Sequence, residues 1–157
     1  MAIFAIGDMH LSLGTDKPMD VFPGWEGYLP RLEASWRKLI GPDDTVVLAG
    51  DTSWAMNLND TKADFAFIQN LPGQKWLLKG NHDYWWTTTP QDGELPDCQR
   101  LLTRCIFLHN NACTVGNVAL CGTRGGRFDD VAAPGRKSSW RRGRRAVCAC
   151  PWRGGGG

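Results

Sequence analysis

Apolar residues in this chain gather into short runs that stop abruptly at glycine. Residues 2–6 are apolar and end at Gly7. The run TVVLAG at 45–50, β-branched at its start, ends at Gly50, and KWLLKG at 75–80 ends at Gly80. Continuous apolar runs of this length, bounded by turn residues, predict strands buried on both faces. Between the runs the period changes. Tyr28, Leu29, Leu32, Trp36, Leu39 and Ile40 recur with helical spacing over 27–40, and Gly41-Pro42 stops the pattern. Asn59 or Asp60 is placed to cap a second helix over 61–70, with Phe65 and Ile68 facing inward and Pro72-Gly73 ending it. The order strand, helix, strand, helix, strand predicts an α/β fold with parallel core strands and crossover helices. Residues 11–25, rich in Gly, Pro and Asp, are expected to form a loop, and 94–104 a further helix. CIFLHNN follows from Cys105, and CTVGNVALCG at 113–122 holds a Gly116-Asn117 turn that fits a hairpin.

A chain of 157 residues is one domain's length, with 42% hydrophobic and 22% charged residues, ordinary globular values. The net charge of +2 conceals two unlike segments. Residues 1–125 carry 10 Lys+Arg against 14 Asp+Glu, whereas 126–157 carry 8 against 2. That last segment lacks any period of 2 or 3.6 and consists almost wholly of Arg, Gly, Ala, Ser, Pro, Cys and Trp, the residues of GC-rich codons. The expectation is an incomplete domain over 1–125 followed by an unstructured basic Gly/Arg-rich tail over 126–157. A slipped reading frame or mis-called terminus explains the tail's composition, and a natural disordered basic tail is the alternative. The six cysteines form no CxxC pair and read as reduced, core-type residues. MAIFAIG is too short for a signal-peptide core, and no apolar run approaches a membrane span, so a cytoplasmic protein with no membrane partner is expected.

The chemistry lies where the apolar runs stop. Gly7 is followed by Asp8 and His10, Gly50 by Asp51, and Gly80 by Asn81 and His82. In an open parallel sheet, ligands bind beyond the carboxyl ends of the strands, and glycine lets the backbone turn there without a Cβ in the way. Carboxylate with imidazole suits Mn, Fe or Zn better than Mg or Ca. Taken singly, Asp8 could cap a turn, His10 could be an ordinary loop histidine, Asp51 a helix N-cap and Asn81 an αL turn residue. Three such stops in order point instead to a dinuclear metal centre of the kind that hydrolyses phosphoesters.

GDMH, GDTSW and GNHDYWW resemble the first three motifs of the calcineurin-like metallophosphoesterase family, D-x-H, G-D and G-N-H-[D/E], and the wider stretch from GDTSWAM to GNHDYWW is similar to a bacterial branch of it. The resemblance covers roughly residues 1–125. It implies the N-terminal part of a two-sheet α/β sandwich, with two divalent ions at the strand ends and hydrolysis of a phosphomono- or phosphodiester by metal-bound hydroxide. It implies that Asp8 and His10 bind the first ion, that Asp51 bridges both and that Asn81 binds the second. His82 would then be a general acid and Asp83 its orienting partner. The family also carries a later single His and a G-H-x-H motif, whereas this chain has three histidines, His10, His82 and His109, and none after His109. The first ion would keep three of four protein ligands and the second two of four, so impaired activity is expected. His109 lacks a preceding glycine and reads as a strand-edge histidine.

Trp54, Trp85 and Trp86 could wall a substrate pocket or pack against the sheet. Arg124 could meet a substrate phosphate or be a solvated loop residue. Two other readings remain open from the residues alone: a non-catalytic metal-binding remnant, and a nucleic-acid binder using the six basic residues around Trp140 in RKSSWRRGRR.

Overall fold

A computed structural model of the chain describes residues 1–86, 104–123 and 146–151. Four of its strands, β1 (Ile3–Ile6), β2 (Thr45–Leu48), β3 (Gln74–Leu78) and β4 (Cys105–Leu108), form one sheet in the order β1-β2-β3-β4. All three pairings are parallel, as the alternation of runs and helical periods predicts. Helix α1 (Tyr28–Leu39) connects β1 to β2, and α2 (Lys62–Asn70) connects β2 to β3. A second sheet of β5 (Asn111–Val115), β6 (Val118–Thr123) and β7 (Ala146–Pro151) is antiparallel. The hairpin β5–β6 turns at Gly116-Asn117, where Gly116 takes φ of +59°.

The period-2 geometry of strands divides each apolar run between two cores. Val46, Leu48, Leu77 and Phe107 face the helices and pack with Trp36, Phe65 and Ile68. Val47, Trp76, Leu78 and Leu108 face the other way and pack with Val115 and Leu120 of the second sheet. A Cβ on Gly122 would lie 2.4 Å from Leu108 Cβ, so the two sheets approach there too closely for a side chain. This stacking is the two-sheet arrangement that the resemblance implied.

One expectation is corrected. The cap of α2 is neither Asn59 nor Asp60. A 3-10 turn over Asn59–Thr61 precedes the helix. Asn57 Oδ1 accepts the Asn59 and Asp60 amides at 3.0 and 3.2 Å, so the upstream asparagine satisfies the exposed N–H groups. Within 126–157, the described residues Ala146–Pro151 form strand β7 on β6. The open edge of β6 offers unpaired backbone groups, and AVCACP is an apolar stretch able to add a strand to it. The helix expected over 94–104, Arg104 excepted, and the Arg-rich stretch 136–145 lie outside the described residues. Of the cysteines whose side chains are described, Cys105, Cys113 and Cys121 are free thiols. Burial pushes the Cys105 thiol up to about 11, so it stays protonated and inert.

Candidate metal centre

Because β1, β2 and β3 are parallel, their carboxyl ends share one edge of the sheet. Ile6 pairs with Leu48 and Leu48 with Leu77, so the three glycine stops come side by side. The loops after β1 and β2 run together beyond the sheet. The amides of Asp8, His10 and Leu11 donate to the carbonyls of Gly50, Asp51 and Thr52 at 3.1, 3.0 and 2.9 Å. The loops after β2 and β3 touch closely. A Cβ on Gly50 would lie 2.6 Å from the Gly80 nitrogen, and one on Gly80 would lie 1.9 Å from Asp51 Oδ1. Only glycine at both positions permits this approach.

The approach gathers Asp8, His10 and Asp51, whose potential ligand atoms all lie within 4.8 Å of one another. Ligands about 2.0–2.2 Å from one ion are at most about 4.4 Å apart. A closure of a few tenths of an ångström would bring the three onto a common ion. Each of the three also holds a positive φ, +57° at Asp8, +46° at His10 and +50° at Asp51. Left-handed backbone in a non-glycine residue costs about 1–3 kcal/mol and clusters at functional sites. Here the interloop hydrogen bonds hold that geometry.

The His10 ring is fixed on one face. It stacks on Trp54, with ring centroids 4.5 Å apart and planes 22° from parallel. Its Nε2 lies 3.7 Å from Asp8 Oδ1, and its Nδ1 is buried with no hydrogen-bond partner. Burial lowers the His10 pKa below its ordinary value, against the pull of Asp51 and Asp8, so the imidazole is neutral at neutral pH. A neutral imidazole with a buried, unpartnered nitrogen beside two carboxylates fits a divalent cation. Asn81, next to Gly80, is exposed at the end of β3, on the same edge.

His82 is half-buried, its ring centroid 5.8 Å from that of His10 and 5.2 Å from that of Trp54. Its backbone amide donates to Asp51 Oδ1 at 3.0 Å, tying the β3 loop to that carboxylate. Its Nδ1 lies 3.4 Å from Tyr84 Oη. The Asp83 carboxylate is not hydrogen-bonded to the His82 ring. The Asp83 carboxylate is buried and accepts from backbone instead. Oδ2 takes the Asp51 and Gly80 amides at 2.8 and 2.7 Å, and Oδ1 takes the Thr52 amide at 2.8 Å and Trp85 Nε1 at 3.0 Å. Burial pushes its carboxyl above the ordinary range, opposed by the Gly80, Thr52 and Asp51 amides. Its work is to clamp the β2 and β3 loops together.

Other residues frame the centre. Asp64 of α2 is buried and accepts from Ser53 Oγ at 2.5 Å and the Leu13 amide at 2.7 Å, anchoring both ligand-bearing loops to the helix. Asp64 shares the buried face of α2 with Phe65 and Ile68, and an acidic residue on an apolar helix face is the sequence signal for such an anchor. Trp54 flanks the centre, whereas Trp85 and Trp86 are core residues packed on Phe65 and Phe107. Lys17 Nζ lies 5.9 Å from the Trp54 ring centroid and brings a positive charge to the rim. His109 ends β4, the edge strand, beside the Trp86 ring at 5.7 Å. Arg124 lies outside the described residues.

A parallel sheet bearing Asp-x-His, Asp and Asn-His at adjacent strand ends defines a metallophosphoesterase-type domain. The family model for calcineurin-like phosphoesterases matches residues 1–146, and the chain belongs to that family. Among proteins of similar sequence is the Gene 66 protein of Mycobacterium phage L5, 29% identical over 125 residues, a match covering 70% of this chain and 56% of the phage protein. A solved structure of a protein of unknown function from Aquifex aeolicus matches with a TM-score of 0.45 and 22% identity, covering 76% of this chain and 58% of that one. The chain thus spans a little over half the length of the relatives it matches. Among the described residues, no helix is long and apolar enough to cross a membrane.

Proposed function

We propose that this domain is a metal-dependent phosphoester hydrolase whose centre is built on Asp8, His10 and Asp51. The observation that carries the reading is the convergence of these three side chains, within 4.8 Å, at the ends of two adjacent parallel strands. Divalent ions bound there would supply Lewis-acid activation of water and of the phosphoryl oxygens. Asp51, buried and facing both loops, is placed to be shared by two ions. Asn81, exposed at the end of β3, would offer a neutral carbonyl oxygen to a second ion. The neutral His10 imidazole needs no deprotonation before it ligates.

His82 has the role of general acid in this reading. Its ring stands at the rim, over the ligand group but outside it, and can deliver a proton to a departing alkoxide. The Tyr84 hydroxyl, 3.4 Å from Nδ1, is the polar side chain closest to that ring nitrogen in this reading. Lys17, whose Nζ lies 5.9 Å from the Trp54 ring centroid, would add positive charge for a phosphate in this reading. In this reading Asp8, His10 and Asp51 would hold one ion, and Asp51 with Asn81 would hold a second more weakly.

The test is metal content and hydrolysis of bis(p-nitrophenyl) phosphate by the Mn²⁺-loaded chain. At least one bound ion is expected, lost in Asp51→Asn and in His10→Ala. Slow turnover is expected that falls about 10²–10⁴-fold in His82→Ala, with the ion retained. A chain that binds no ion, or whose binding survives both ligand substitutions, refutes the proposal.

A further inference from the structure

A cleft of about 340 Å³ opens where the end of β1 meets the first half of α1. Asp8 stands at its boundary, for it belongs to the metal-ligand group and also lines the cleft. The helix contributes Tyr28, Arg31, Leu32 and Ser35, whose spacing places them on one face. Trp25, from the turn before α1, forms the outer wall, edge-to-face on Tyr28 with ring centroids 5.2 Å apart.

The walls are held in place by groups with no other evident task. The Tyr28 hydroxyl donates to the His10 carbonyl at 3.4 Å, fastening the aromatic wall to the loop that carries the ligands. Arg31 Nη2 donates to the Gly24 carbonyl at 3.1 Å, which pins the turn bearing Trp25 against the helix. Trp25 and Tyr28 are each only half-buried. Their free ring surface faces a concavity beside the candidate catalytic group, the usual composition of a small-molecule site.

We infer that this cleft receives the organic group of the substrate and that this group is a single aromatic ring system, so that the preferred substrate is a small aromatic phosphoester. The inference rests on the phosphoesterase reading of the Asp8–His10–Asp51 group. A phosphoryl group seated there has its ester substituent next to Asp8, and the cleft is the adjoining space. Its volume lies at the small end of ligand sites, roughly 300–1,000 Å³. That suits one ring system on Trp25 and excludes a polymer strand.

The experiment compares benzyl phosphate with ethyl phosphate on the Mn²⁺-loaded full chain. The two alcohols are of similar acidity, so the leaving group does not by itself separate them. Benzyl phosphate is expected to have a kcat/KM about tenfold higher, corresponding to roughly 1.4 kcal/mol of ring contact. Trp25→Ala removes the wall, and Ser35→Trp fills the cleft from an exposed helix position where folding is undisturbed. Either substitution is expected to bring the ratio of the two kcat/KM values close to one. A ratio that persists in Ser35→Trp, or a wild-type chain that does not favour the benzyl ester, overturns the inference and leaves the phosphoesterase reading standing. If neither ester is turned over, the phosphoesterase reading is judged by the metal content and the bis(p-nitrophenyl) phosphate assay. The cleft is then judged by equilibrium binding of the same two esters. Tighter binding of benzyl phosphate that is lost in Ser35→Trp supports it, and equal binding overturns it.

Discussion

Replacing Asp83 by alanine separates two roles that a buried aspartate after a catalytic histidine could have. In the structure four close donors converge on its carboxylate: the amides of Asp51, Gly80 and Thr52, and Trp85 Nε1, between 2.7 and 3.0 Å. Removing the acceptor strands these groups in a buried site, at about 1–3 kcal/mol for each unsatisfied donor. The relief of no longer burying a carboxylate offsets part of that cost. The net loss is about 3–5 kcal/mol, in the range observed when one partner of a buried charged network is removed. Against a typical domain stability of roughly 5–15 kcal/mol, that is a large fraction. Urea unfolding of the full chain, followed by far-UV circular dichroism, measures it without requiring turnover. His82→Ala is the control, since the His82 ring is half-buried and its nearest polar contact is a 3.4 Å approach to Tyr84. It should cost less than about 1 kcal/mol. Asp83→Asn should fall between, because an amide retains one acceptor but turns its NH₂ toward N–H donors. An Asp83→Ala chain within about 0.5 kcal/mol of wild type would show that the carboxylate does not clamp the loops.

Three further outcomes are expected. Gly80→Ala places a Cβ 1.9 Å from Asp51 Oδ1, and the displaced carboxylate should lower Mn²⁺ affinity by about tenfold or more; unchanged affinity in a titration would contradict the close approach. Trp54→Ala removes the ring stacked on His10 and should weaken metal binding about tenfold, with Trp54→Phe retaining most of it; equal affinities in all three chains would show that the stacking does not position His10. Burial holds the Asp64 carboxyl above its ordinary value of 3.8, outweighing the Ser53 and Leu13 hydrogen bonds. The folded chain therefore favours the protonated form. That contribution to stability is complete below pH 3.8 and is lost as pH rises through the higher folded-state value. Asp64→Asn keeps the shape without the charge, so its urea midpoint should gain on wild type as pH rises through that window; parallel profiles would rule out the titration.

Much of the site is legible in the linear chain. Gly7, Gly50 and Gly80 interrupt apolar runs, and a parallel sheet must bring such stops to one edge, so Asp8, His10 and Asp51 could be grouped before any coordinates. The two helices, the parallel core strands and the Gly116-Asn117 hairpin follow from local periodicity and turn chemistry in the same way. Where a side chain had several local partners to choose from, the chain could not decide. Asn57 rather than Asn59 or Asp60 satisfies the start of α2, because the turn before the helix selects the donor geometry. Three tryptophans sit near the ligands in sequence, yet Trp54 stacks on His10 while Trp85 and Trp86 fill the core.

What the sequence determined by itself was the class of fold and the chemical types gathered at one end of its sheet, since both depend on short-range periodicity and on strand polarity. Tertiary structure alone decided the direction of Asp83, whose partners Asp51 and Thr52 lie 32 and 31 residues away. It also decided the left-handed backbone at the three candidate ligands, and the cleft between β1 and α1. Each of these arises from contact between segments distant in sequence, and no local pattern encodes such a contact.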